Sequence, residues 1–321
     1  MLSKRFFIYF LLLWMVPSFA TAKIVFESQR HGGQTLYVMD DDGSNVQRLT
    51  FTRLPHYDSG PVWSPNGKRI AFLREISEDR RQQKSALFIM NSDGSQEQQI
   101  TDFNVSLCSW SPDGSRIAYG KDRNIYVIDI FTRAVRKLTN NPELTSSPSW
   151  SPNGKYIAYR QAHPAANLTT IYVMNANGSG QHPLVPHDNW YRFSPAWSPD
   201  SKSVMYVEAL YGNEHAFQLL QNNVVIQKHG SPNRRFLKIP TKKWLVHSAC
   251  WMDNGKQVLI AAEEHAAADR QIEIYRYHLV TGEITNLTSH PRDDLEPHWI
   301  DDDVLSVTPQ GKKVRWGTLK K

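Results

Sequence analysis

Four histidines, His56, His187, His247 and His298, each stand one to ten residues before a tryptophan. Neutral imidazole is a common ligand of divalent metals, so three of them converging would make a metal centre. No closer pairing supports one: there is no His-Glu-x-x-His run and no Cys-x-x-Cys, and surface histidines are the simpler reading. The same stretches carry a second set of groups, Asp58, Glu143, Asp188, Trp190, Tyr191, Arg192, Trp244, Arg292, Asp293, Asp294 and Glu296. Acids and an arginine beside large aromatics suit contact with a protein or peptide, in which Trp, Tyr and Arg act as anchors. Gly178-Ser179-Gly180 precedes no helical pattern and reads as a hairpin turn, not a phosphate loop. No catalytic residue, cofactor or metal is assigned.

What must position these groups is a repeat. Trp-Ser-Pro-Asn-Gly occurs at 63–67 and 150–154, Trp-Ser-Pro-Asp-Gly at 110–114 and Trp-Ser-Pro-Asp-Ser at 197–201, with weaker copies opening at Trp251 and Trp299. Proline presets φ, Asp or Asn bonds nearby backbone and glycine takes a positive φ, so each copy is a tight turn between strands. The tryptophans lie 47, 40, 47, 54 and 48 residues apart, which suits blades of four strands. An alternating second strand follows each turn (116–119, for example), then a third (124–128), and in several units a short fourth such as Lys137-Leu138-Thr139. The pattern predicts an all-β propeller of four-stranded antiparallel blades, with the tryptophans as inter-blade core.

Residues 23–50 supply a second, third and fourth strand without a first, and Pro297-His298-Trp299 supplies a first without the others. Joining the two ends in one blade gives six blades over 23–319. The stretches 304–307 and 313–316 resemble another strand pair, which would give seven. Residues 209–241 show no clean strand pattern and are expected to form a surface excursion. Loops leading into the tryptophan strands gather at one mouth of a propeller channel. Seven residues before each tryptophan stand His56, Phe103, Glu143, Trp190, Trp244 and Arg292; five before stand Asp58, Val105, Thr145, Arg192, Val246 and Asp294. Because these differ from blade to blade, they are expected to be free to serve a partner. Trp190 and Arg192 in particular are expected to matter for binding and little for stability.

The first 22 residues join Lys4 and Arg5 to an apolar run, Phe6 to Val16, and to Ala20-Thr21-Ala22. That is the layout of a secretory signal cleaved near Ala22, and the run is too short to span a bilayer. A periplasmic or secreted protein, without a transmembrane segment once the signal is removed, is expected. Of the formal net charge of +6, seven cations lie in the signal and in the acid-free tail 312–321. The body between them is close to neutral and has no electrostatic footprint for nucleic acid. Cys108 and Cys250, three blades apart across a six-bladed ring, are expected to be free thiols.

The run Trp-Ser-Pro-Asp/Asn-Gly-x-x-Ile-Ala-Tyr/Phe, followed by Ile-Tyr-Val-Met/Ile-Asp/Asn-x-x-Gly and a closing Leu-Thr, resembles the WD40-like repeat of the TolB propeller family. The resemblance implies a non-enzymatic, monomeric propeller that binds a protein or peptide of the cell envelope, similar to the propeller part of TolB in the Tol-Pal system. TolB itself carries a small α/β domain before its propeller. Here the repeat starts at the expected cleavage site, so that domain is expected to be missing. The scattered histidines loosely resemble those of propeller oligogalacturonate lyases. The alternative is therefore a metal-assisted lyase or hydrolase acting on an acidic polysaccharide.

Overall fold

Short alternating strands joined by tight turns bury both faces only if they pair and then stack, and the chain does both. The computed structural model of the protein describes residues 22–52, 54–76, 84–163, 166–212, 219–240, 244–264 and 270–305. Among them are six antiparallel sheets of four strands, each in up-and-down order. Blade 1 is Tyr57–Trp63, Arg69–Glu75, Ser85–Asn91 and Gln98–Gln99. Blade 2 is Val105–Trp110, Arg116–Lys121, Asn124–Asp129 and Val135–Lys137. Blade 3 is Thr145–Trp150, Tyr156–His163, Ala166–Asn175 and His182–Pro183. Blade 4 is Tyr191–Trp197, Ser203–Tyr211, Leu219–Lys228 and Arg234–Phe236. Blade 5 is Trp244–Met252, Gln257–Glu264, Ile272–His278 and Ile284–Asn286. The closing blade pairs Asp294–Ile300 with Lys23–Ser28, Thr35–Asp40 and Gln47–Arg48. The fold is an all-β six-bladed propeller.

Two local readings differ from the structure. The stretch 209–241 is no excursion, because it supplies the third and fourth strands of blade 4. Its alternation is hidden because Asn222, Asn223 and Gln227 take buried positions, that of Gln227 being one that other blades give to an apolar residue such as Met90 or Met174. Val304 and Leu305 belong to a one-turn helix, Asp302–Leu305, not to a strand of a seventh blade. The signal residues 1–21 and residues 306–321, which include the basic tail, lie outside the described residues.

Six apolar clusters fill the six gaps between successive blades. Between blades 2 and 3, for instance, Ala118, Ile125, Val127 and Leu138 meet Trp150, Ile157, Tyr159 and Met174. Trp63, Trp110, Trp150 and Trp197 are buried. The Leu-Thr that ends a blade has a second job. Oγ1 of Thr50, Thr101, Thr139 and Thr288 each accepts an N–H near the start of its own blade's third strand, that of Leu36, Leu87, Ile125 or Ile274, at 2.9–3.0 Å. Glycine closes the turn before that outer strand where a Cβ would strike a neighbouring blade. At Gly178 it would come within 2.7 Å of the Leu138 carbonyl oxygen, and φ there is +89°. Thr139→Val keeps the side-chain shape but orphans the Ile125 N–H. It is expected to cost about 1–3 kcal/mol in urea denaturation.

Candidate functional site

Each inner strand distributes its side chains by distance from its tryptophan. The residue just before it latches onto the next blade. Ser109 Oγ accepts the Trp150 N–H at 2.9 Å, Ser149 Oγ accepts that of Trp197 at 3.3 Å, and His298 Nδ1 accepts that of Trp63 at 3.3 Å. Cys250, the equivalent residue of blade 5, lies near the Trp299 N–H of the closing blade. Where the equivalent residue is Val62 or Ala196, its backbone carbonyl instead takes the indole N–H of the next tryptophan, Trp110 at 3.2 Å or Trp251 at 3.0 Å. His298 is thus an inter-blade latch, and burial lowers its pKa to about 4. Burial also pushes the thiols of Cys108 and Cys250 up to about 12, and both cysteines are free.

Three residues before the tryptophan stand Gly60, Leu107, Ser147, Ser194, Ser248 and Glu296, a layer of the wall of a central channel of about 490 Å³. Every inner strand shifts register near this layer through a β-bulge. Gly60, Ser147, Ser194 and Glu296, each followed by proline, take positive φ there, +45° at Glu296. An extra residue per bulge re-aims a side chain. Burial and the neighbouring Glu27 push the Glu296 carboxyl up to about 8. Burial pushes Glu27 up to about 7 against the opposing pull of its bonds from the Gly60 N–H, at 2.9 Å, and the Gln34 amide, at 2.6 Å.

Five residues before the tryptophan, Asp58, Val105, Thr145, Arg192, Val246 and Asp294 are all buried. This corrects the expectation that they are free for a partner. Asp58 pairs with Arg74 at 2.7 Å, Asp294 with Arg30 at 2.7 Å, and Arg192, wholly buried, with Glu208 at 3.1 Å and Asp188 at 2.7 Å. The types vary because each answers its own neighbour. Trp244 is also core, its ring 4.2 Å from that of Tyr275.

The remaining candidates lie around the mouth. His187 and Arg292 are exposed, and His56, Glu143, Trp190, Tyr191, His247 and Asp293 are half-buried. Several are tied to the rim: His187 Nε2 lies 3.0 Å from the Tyr172 hydroxyl, Tyr191 accepts from Arg160 at 3.0 Å, and Asp293 accepts the Ile272 N–H at 3.0 Å. His247 sits 3.7 Å from Glu263; burial lowers its pKa, while Glu263 and Asp293 oppose that. The four histidines do not converge. Among the described residues, the one group of three His, Cys, Asp or Glu side chains close enough to share an ion is Asp301, Asp302 and Asp303, on the opposite face. No helix among the described residues is long and apolar enough to cross a membrane.

Sequence reasoning missed Glu27, Arg30, Arg74 and Glu208, the partners on second strands and loops. A signal was present. Asp58 and Arg74 are sixteen residues apart and directly paired, and so, with the charges swapped, are Arg192 and Glu208.

The TolB beta propeller domain family (PD40) matches residues 68–235. The Tol-Pal system protein TolB of Francisella tularensis is 26% identical over 197 residues, covering 60% of this chain and 42% of that protein. A TolB homolog of Chlorobium luteolum is 29% identical over 145 residues, covering 44% of this chain and 32% of that one. The chain therefore spans less than half the length of these curated relatives. Among solved structures, TolB from Acinetobacter baumannii superposes with a TM-score of 0.70 at 21% identity, over 88% of this chain and 67% of that one. An oligogalacturonate lyase in complex with manganese superposes with a TM-score of 0.58 at 13% identity, over 84% and 74%. At such identities the two superpositions speak for the fold alone. With more than half of its residues matched and the repeat running through all six blades, the chain belongs to the TolB β-propeller (PD40) family.

Proposed function

We propose that this protein is an exported, periplasmic, non-enzymatic propeller that binds a protein or peptide partner of the cell envelope at the channel mouth. The observation that carries this is a set of exposed apolar side chains, termed the ledge, carried by three successive approach loops. Phe51 is 72% exposed, Leu54 61%, Phe103 37% and Leu144 39%. A partner that covers these four groups gains the hydrophobic term. Half-buried Trp190, whose N–H is held by Asp188 at 3.0 Å, adds an aromatic anchor on the next approach loop. The Francisella relative's place in the Tol-Pal system supports an envelope partner. The metal-assisted reading has no comparable support, because His298 is committed to Trp63 and the other three histidines stand on separate blades.

The test is capture from crosslinked envelope extract of the source organism, comparing wild type with Phe51→Ser/Leu54→Ser/Phe103→Ser. These exposed changes leave the core intact. A specific partner captured by wild type and reduced at least about tenfold by the variant is expected; each central apolar contact commonly carries more than 1 kcal/mol. Equal capture by both would remove the ledge from the interface.

A further inference from the structure

Six inner strands wall the central channel, and among its described lining residues one carries a carboxyl group and none is a lysine or arginine. That residue is Glu296. It makes no ion pair with, and accepts no hydrogen bond from, any described residue. Its companions in the layer three residues before the tryptophan are equally unengaged. The hydroxyls of half-buried Ser147 and Ser194 bond to no described group. Ser248 is 3% exposed, and its hydroxyl is buried without a partner. A buried hydroxyl left unmade carries a cost that a group from outside the chain can offset. Glu296, Ser147 and Ser194 also hold the left-handed region, at φ +45°, +52° and +52°, a steric cost of the kind that collects at ligand sites. The layer is one-sided. Blades 3, 4, 5 and the closing blade are successive neighbours, so Ser147, Ser194, Ser248 and Glu296 form a continuous polar arc. Blades 1 and 2 complete it with Gly60 and Leu107, and Leu107 leans over Gly60, where a Cβ would come within 2.7 Å of its Cδ2.

We propose that the channel is a binding site for a primary ammonium group on an apolar stem, with Glu296 as its counter-ion and the hydroxyls of Ser147, Ser194 and Ser248 as further acceptors.

An alkylammonium has three N–H donors and no acceptor, which matches an arc of one carboxylate and three hydroxyls. Its methylene stem suits the other side of the layer, Leu107, and the rings of Pro61, Pro148, Pro195 and Pro297 that line the wall beside it. The channel, about 490 Å³, is of the size that takes small ligands. An anionic guest would meet Glu296 with no cation in the wall to offset it. A hard divalent cation such as calcium takes about six to eight oxygen ligands, usually with several carboxylates, and this wall offers one carboxylate.

Binding of such a group is linked to protons. Burial, with Glu27, holds the Glu296 carboxyl up to about 8, so near neutral pH it is largely protonated, and a bound cation favours its ionised form. The guest keeps its charge, since an alkylamine titrates near ~10.4. Affinity therefore rises about tenfold per pH unit up to about pH 8 and then levels off. The other titratable groups around the carboxyl leave that sign unchanged. Glu27, from the paired strand, ionises near 7 and adds attraction for a cation. His298, on the same strand, is neutral above about pH 4, and the thiols of Cys250 on blade 5 and Cys108 on blade 2 are neutral below about 12.

The test is calorimetric titration of n-butylammonium into the full chain, with uncharged n-butanol and calcium ion as controls. One-to-one saturable binding is expected, tightening about tenfold per unit between about pH 6 and 8. At pH ~8, n-butanol and calcium should bind at least about tenfold more weakly than n-butylammonium, and Glu296→Gln should bind n-butylammonium at least about tenfold more weakly than wild type, the scale of one charge-assisted hydrogen bond. No saturable binding, n-butanol or calcium bound as tightly, or equal binding by Glu296→Gln would overturn the site. Carboxyl-carbon NMR of unmutated protein decides without a variant: n-butylammonium should lower the Glu296 titration midpoint by at least about one pH unit, and an unmoved midpoint overturns the proposal. None of these measurements involves the partner proposed above, so the two readings fail separately. The same probe added to partner captured by wild type then separates the sources of the group: displacement assigns it to a lysine side chain of that partner, and undisturbed capture to a free amine.

Discussion

Arg192→Ala is expected to cost about 3–5 kcal/mol of stability, the range found when one partner of a buried ion pair is removed. Arg192 has no exposed surface. Its Nε donates to Glu208 at 3.1 Å, and its two terminal nitrogens grip Asp188 at 2.7 Å each. Glu208 is as deeply placed and also accepts from Asn223 at 3.2 Å and from Arg234. Deleting the guanidinium leaves Glu208 with Arg234 as its one remaining cation and releases Asp188, which fixes the Trp190 loop. Arg192→Met with Glu208→Leu should recover part of the loss, because no fully buried charge is left without its partner, and the two groups released, Arg234 and Asp188, have side chains 27% and 43% exposed. Urea midpoints of the single and double variants make the check. Equal midpoints for wild type and Arg192→Ala would show that the residue is not built into the blade. Loss of partner capture in Arg192→Ala would then report a damaged mouth, in contrast to the ledge variant.

Trp150→Ala is expected to destabilise by a similar amount, about 3–5 kcal/mol, through the cavity it leaves. Trp150 is 5% exposed between blades 2 and 3. Its ring lies under the Arg116 guanidinium, 5.1 Å from the ring centroid, and its indole N–H reaches the Gly154 carbonyl at 3.4 Å. Alanine keeps the backbone N–H bond to Ser109, so the loss isolates packing from latching. Trp299→Ala, at a half-buried position in the closing blade, should cost less. Thermal or urea unfolding of the two variants side by side tests the order, and an equal cost would place the inter-blade energy elsewhere.

Repetition made the fold legible. Six tryptophan turns at near-equal intervals say that one unit recurs, and a four-stranded unit that cannot cover its own faces must stack. Pairing of residues 23–50 with Trp299 was readable because each end lacked what the other held. The third strand of blade 4 was not, since Asn222, Asn223 and Gln227 occupy buried places and period-two patterning registers apolar residues only.

At the candidate site the division runs by distance from the tryptophan. The sequence by itself determined which residues stand at equivalent places: Asp58 with Arg192 and Asp294, Glu296 with Ser248, His298 with Cys250. It did not determine what each place does. Variation at the fifth residue before the tryptophan looked like freedom to bind, but the folded chain buries all six and pairs Asp58 across to Arg74, Arg192 to Glu208 and Asp294 to Arg30. Only the tertiary structure decided this, because a charge is stable in a buried place when its opposite lies within a few ångströms. That closeness is made by strand register and by the next blade, not by neighbours in the chain. The same holds for Lys23–Ser28 and Asp294–Ile300, which lie hundreds of residues apart in sequence and meet only because strand pairing closes the ring.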